Sequence, residues 1–102
     1  MTRSPTKVIS REQIKILREK VNKATDVDVF TSPDSSNLEG GSRYSTGITV
    51  LGFRDKKKPD AQVIFYYYPD VSWEDWAALK DAPSKGKYMQ EVFAKKYRGF
   101  RI

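Results

Sequence analysis

The sequence predicts an α+β fold: a small antiparallel sheet, hairpin or meander, packed by C-terminal helices and accompanied by an extra N-terminal amphipathic helix. Three observations carry this. A capped stretch of apolar residues at helical spacing opens the chain, two β-rich runs flank a polar turn segment in the middle, and two cap-and-stop patterns follow Pro69.

Ser10 followed by Gln13 has the capping-box spacing, and Ile9 and Ile14 stand where a hydrophobic staple forms. Ile14, Leu17, Val21 and Ala24 then recur on one side, with Arg11, Lys15, Arg18, Glu19 and Lys23 on the others. Because acidic residues are mixed among these cations, the polar side reads as a solvated face. Asp26 to Phe30 is compatible with a short strand. Ser32 to Ser42, rich in Ser, Pro, Asp, Asn and Gly, reads as an exposed linker or long loop. The expected organisation is therefore an N-terminal helix and flexible linker over residues 1–40 and an α+β module over 41–102.

Tyr44 to Phe53 and Ala61 to Tyr68 are rich in β-branched and aromatic residues and predict two strands. Between them, Lys56, Lys57 and Lys58 precede Pro59 in a polar segment that joins the strands as a hairpin and adds a positive spot to its tip. Alternation in the second run sends Ile64, Tyr66 and Tyr68 to one face and Val63, Phe65 and Tyr67 to the other. Both faces thus need cover. The C-terminal helices meet one, and the N-terminal helix, a second subunit or a ligand meets the other, which makes a homodimer or higher homo-oligomer an expectation.

Pro69 ends the strand, Ser72 with Asp75 has a helix N-cap pattern, and Pro83 stops the helix running from Trp73 to Ala82. Ser84 is then expected to cap a last helix whose core stripe takes Tyr88, Met89, Val92, Phe93 and Lys96 or Tyr97, with Gly99 as terminator.

Composition narrows the chemistry. At 102 residues the chain is the size of one domain, and its aromatics are needed for the core. It contains neither cysteine nor histidine. Disulfides, thiolate zinc sites and a cysteine nucleophile are excluded, as is the usual neutral-pH base. Asp70, Glu74 and Asp75 are the close carboxylate cluster, and Glu74 and Asp75 sit where they serve a helix N-terminus. The expectation is a non-enzymatic protein without cofactor or metal. No apolar run approaches the length of a membrane span and the first residues lack a secretory pattern, so a cytoplasmic location is expected.

Positive charge is concentrated at the C-terminal end. Residues 80–102 hold seven of the nineteen lysines and arginines and only two acids, so they carry net +5 of the chain's formal +6. Such a localised field points to an anionic partner. Within it, Ser84, Lys85, Gly86 and Lys87 bring a hydroxyl, a glycine and two lysines to a helix start, where unpaired amides favour anions. They are candidate phosphate-binding residues, with Tyr66 and Tyr68 as neighbours on the sheet and Lys95 and Arg98 as outer charges.

Tyr66, Tyr68, Val71, Ala82, Ser84, Gly86, Lys87, Tyr88 and Tyr97 stand in an order that resembles the KTSC domain, a family named for the C-terminal extension of some lysyl-tRNA synthetases and also found as a stand-alone small protein in bacteria and phages. The resemblance covers about sixty residues from Tyr44 onward and leaves the N-terminal forty unexplained. It departs from the family at Met89-Gln90, where an aromatic-asparagine pair is usual, and at Phe93-Ala94, where an isoleucine-arginine pair is usual. Any ligand contact of that arginine does not carry over. The resemblance implies RNA binding only by association with a synthetase.

Two functions are therefore carried forward. One is a binding module for RNA or another phosphorylated ligand, acting through the basic helix start and adjacent tyrosines. The other is a phage or bacterial interaction protein that docks on a host protein or, as an oligomer, sequesters a nucleotide signal.

Overall fold

The computed structural model describes residues 10–33, 35 and 37–102. The chain is α+β, as its sequence predicts. Helix α1 (Arg11–Lys23) opens it and is followed by strands β1 (Val27–Thr31), β2 (Leu38–Tyr44), β3 (Thr49–Phe53) and β4 (Ile64–Tyr68). Helix α2 (Trp73–Asp81) comes next, then a helical segment made of α3 (Lys85–Tyr88), a π-helical turn (Met89–Phe93) and α4 (Ala94–Lys96). The short strand β5 (Phe100–Arg101) closes the sheet, whose order β1-β2-β3-β4-β5 is an antiparallel meander.

The capping box of α1 is present in full: Gln13 N–H donates to Ser10 Oγ at 3.2 Å and Ser10 N–H to Gln13 Oε1 at 3.0 Å. The staple partner Ile9 lies outside the described residues. The α1 stripe of Ile14, Leu17 and Val21 packs on the cluster of Ile48 and Tyr67, which Tyr44 and Phe100 also flank, so the N-terminal helix covers part of one face of the sheet. Burial pushes the Tyr67 phenol up from its ordinary pKa. The opposite face carries the main core, in which Leu38, Leu51, Tyr68 and Val71 meet Trp76, Leu79, Met89 and Phe93 from the C-terminal helices.

Three sequence expectations need correction. The stretch from Ser32 to Ser42 is not a continuous linker or loop, because Leu38–Tyr44 is β2, paired with β1 on one side and, with a register shift between Leu38 and Gly40, with β3 on the other. Its glycines allow this. A Cβ on Gly40, which has φ +157°, would lie 2.4 Å from the Phe30 carbonyl oxygen, so only glycine fits this close strand approach.

The strand expected from Tyr44 begins only at Thr49, since Tyr44 ends β2 and Gly47, at φ +95°, closes the turn by donating to Tyr44 O at 2.8 Å. Val92, expected in the core stripe, is exposed, whereas Met89 and Phe93 are buried and Tyr97 packs against them. Residues four apart drift by about 40° on an α-helix. The wider π turn, in which Ala94 N–H donates to Met89 O, absorbs that drift, keeps Met89, Phe93 and Tyr97 toward the sheet and leaves Val92 outside.

Trp76 anchors α2 to the edge strand. It is fully buried, its indole N–H donates to Asp28 Oδ2 at 2.7 Å, and Lys80 Nζ donates to the same oxygen at 2.9 Å. The indole hydrogen bond, then Lys80, holds the Asp28 carboxyl below its ordinary pKa. Among the described residues no helix is long and apolar enough to cross a membrane.

Candidate functional site

An open cleft of about 2210 Å³ lies between the β3–β4 hairpin with the β1–β2 connection on one side and the C-terminal helical segment on the other. All eight sequence candidates line it: Ser84, Lys85, Gly86 and Lys87 from the N-cap and first turn of α3, Tyr66 and Tyr68 from β4, Lys95 from α4 and Arg98 from just beyond it.

Their environments differ. Tyr68 is buried, edge-on to Phe93 with ring centroids 5.2 Å apart, and Gly99 fits against its ring so closely that a Cβ there would come within 2.7 Å. Tyr68 is thus core behind the cleft. Tyr66 is half-buried, with its ring 5.6 Å from Phe53 in an edge arrangement. Antiparallel pairing places Tyr66 opposite Arg101 and Phe53 opposite Ile64, so these four side chains share one face. Phe53, Ile64 and Tyr66 give the cleft an apolar, aromatic floor, with the Arg101 guanidinium beside it.

The helix start is looser than the sequence suggests. Ser84 occupies the N-cap position with extended dihedrals, but its hydroxyl makes no cap hydrogen bond, which corrects the expected Ser cap. Pro83 and Ser84 place a bend between α2 and α3, and the α3 turn is closed by Tyr88 N–H donating to Ser84 O at 3.0 Å. Lys85 Nζ bends back to Ala82 O at 3.4 Å, and Gly86 sits against Ser35, where a Cβ would be 3.0 Å from Oγ. Lys87 faces Glu91 at 4.0 Å across one helical turn, an exposed pair of little energetic weight. A four-residue α3 with an unsatisfied cap is a weak anion site by itself. The candidates gain meaning as one wall of the cleft.

The opposing wall comes from the hairpin tip. Of its three consecutive lysines, Lys56 turns inward and donates to the carbonyls of Ser32 at 2.6 Å, Leu38 at 3.1 Å and Pro33 at 3.5 Å. It ties the tip to the β1–β2 connection. Lys57 and Lys58 are exposed and line the cleft, together with Arg54, which pairs with Glu39 at 2.9 Å. Asp55 is the carboxylate among the described lining residues. Lys57, Lys58, Lys95, Arg98 and Arg101 make no side-chain ion pair among the described residues. Sequence reasoning located the hairpin lysines but not their position across from the C-terminal cations, and it missed Phe53, Ile64 and Arg101. The alternation that put Ile64 with Tyr66 was the available signal for the floor.

The carboxylate cluster is dispersed. Asp75 accepts hydrogen bonds from Ser72, Tyr97 and Lys96 within the fold, while Asp70 and Glu74 are exposed. Among the described residues no three His, Cys, Asp or Glu side chains converge as a metal site would require. No model of a known protein family, no curated protein and no solved structure matches the chain.

Proposed function

We propose that the protein is a non-enzymatic binding module that holds RNA or another phosphorylated ligand in the cleft between the hairpin tip and the C-terminal helical segment. The observation that carries this reading is the pairing of two cationic walls, Lys57 and Lys58 on one and Lys95 and Arg98 on the other, across an aromatic floor. Cations without an internal partner neutralise phosphates and release condensed counterions, while an aromatic floor offers a π face to a base. The similarity of Tyr66, Tyr68, Ser84, Gly86, Lys87 and Tyr97 to the KTSC pattern is compatible with this reading.

Fluorescence anisotropy of a labelled RNA, titrated with the protein, tests it. With five contributing cations and a slope of about −0.7 per neutralised phosphate, affinity falls about a hundredfold between about 50 and 200 mM salt. Absence of binding at the lower salt refutes the proposal.

A second reading, association with another copy of the chain, is favoured by one observation. On the α1 side of the sheet, Val29 and Phe65 are 60% and 49% exposed, beyond the reach of the helix. Self-complementary burial of such a patch is the usual basis of a twofold dimer. Native mass spectrometry of the purified protein separates monomer from dimer, and loss of the dimer in Phe65→Ser assigns the patch.

A further inference from the structure

We infer that the cleft takes a single nucleic acid strand and discriminates against duplex, an inference that rests on the binding function proposed above. The floor decides between the two forms. Phe53, Ile64 and Tyr66 lie on one sheet face, with Ile64 38% exposed, and the cations stand on walls to either side of them. In a duplex the bases are stacked and paired inside, and what reaches a protein is phosphate, sugar and groove edges. Such a surface has no use for an apolar floor, and it keeps phosphates on its outside, where a recessed set of cations is poorly placed to meet them.

A single strand fits both features at once. An unstacked base covers Tyr66 and Ile64, and the phosphates on either side of it meet Lys57 or Lys58 on the hairpin wall and Lys95 or Arg98 on the helical wall. Arg101, directly opposite Tyr66 in the ladder, flanks the same floor and supplies a planar cation for a base or phosphate. The arrangement combines a charged groove with an aromatic platform, the pairing by which single strands are held without sequence preference.

The test compares three probes on the intact chain at one low salt concentration: a labelled single-stranded RNA of mixed sequence, the same strand annealed to its complement, and inorganic polyphosphate as competitor. The single strand is expected to bind at least about tenfold more tightly than the duplex. Tyr66→Leu keeps an apolar side chain on the floor and removes the ring. It is expected to weaken the single strand about tenfold and to leave the inhibition constant of polyphosphate unchanged. Ile64→Ser, at a more exposed position, gives a second reading if Tyr66→Leu unfolds. Equal or tighter binding of the duplex overturns this inference and leaves the cleft as a nucleic acid site. An affinity for single strand untouched by both floor variants overturns it too. Failure of both RNA forms to bind refutes the inference and the binding function together.

Discussion

The phenol of Tyr97 donates a hydrogen bond to Oδ2 of Asp75, fastening the end of the C-terminal helical segment to the first turn of α2. Ser72, the N-cap of α2, joins the same cluster: its N–H donates to the Tyr97 oxygen at 3.2 Å and its hydroxyl to Asp75 Oδ2 at 3.0 Å. Lys96 closes the group with a 2.9 Å ion pair to Asp75. Because Lys95 and Arg98 flank Lys96 and Tyr97 in the chain, this clamp sets where the helical wall of the cleft stands.

Tyr97→Phe removes the phenol from a charged acceptor and leaves the Ser72 N–H without its partner. Hydrogen bonds to charged groups contribute about 1.5–3 kcal/mol, and a loss of that size is expected in urea denaturation. A change below about 0.5 kcal/mol would show that the clamp is incidental.

The same cluster shapes the acid limb of stability. Tyr97 first, then Lys96 and Ser72, hold the Asp75 carboxyl below its ordinary pKa, against the opposing effect of burial. A carboxylate with a lowered folded pKa contributes stability above its unfolded value, about 3.9, and that contribution disappears as pH falls through the folded value. Unfolding free energy of the native chain is therefore expected to drop as pH is lowered below about 4, and to drop less steeply in Tyr97→Phe. Parallel acid limbs for the two proteins would contradict the assignment.

Lys56→Met tests the internal tie of the hairpin. Its ammonium meets two carbonyls of the β1–β2 connection and that of Leu38 at the start of β2, so the variant is expected to lose about 1–3 kcal/mol and to speed amide exchange at Ser35 and Leu38. Lys56 is not among the residues lining the cleft. The salt dependence of RNA binding is accordingly expected to keep its slope while the affinity weakens.

Gly99→Ala tests the fit behind the cleft. A Cβ at this position would stand 2.7–2.8 Å from two ring atoms of Tyr68 and 2.9 Å from its phenol oxygen, and that ring is buried and edge-on to Phe93. Overpacking of this kind costs about 1–3 kcal/mol, and the thermal midpoint is expected to fall accordingly. An unchanged midpoint would mean that the Tyr68 ring moves freely.

Legibility in the sequence followed the strength of local signals. The capping box at Ser10 and Gln13 and the N-cap at Ser72 rest on short-range chemistry and are found where the pattern places them, whereas the strand expected over Ala61 to Tyr68 begins only at Ile64. Strand β2 was hidden because Leu-Glu-Gly-Gly-Ser-Arg-Tyr has the composition of a loop. Its strand state is imposed by pairing on both edges and by the close approach of Phe30 O to Gly40. Val92 fell on the wrong side because the π turn, a tertiary adjustment, changes the helical period locally. The candidate residues came together as one lining, but the opposition of the hairpin lysines to Lys95 and Arg98 depends on how α3 and α4 lie along the sheet, which no spacing in the chain encodes.

The central claim is that the two cationic walls act on one ligand, and the most direct measurement is the salt dependence of RNA affinity in a protein with Lys57→Gln, Lys58→Gln, Lys95→Gln and Arg98→Gln combined. Each of these exposed residues is remote from the buried core, so the fold should survive. At about −0.7 per phosphate contact, the slope of log K against log salt is expected to flatten by about three, from about −3.5 toward about −0.7. An unchanged slope in the folded quadruple variant would contradict the account, because the phosphates would then be held somewhere other than the cleft.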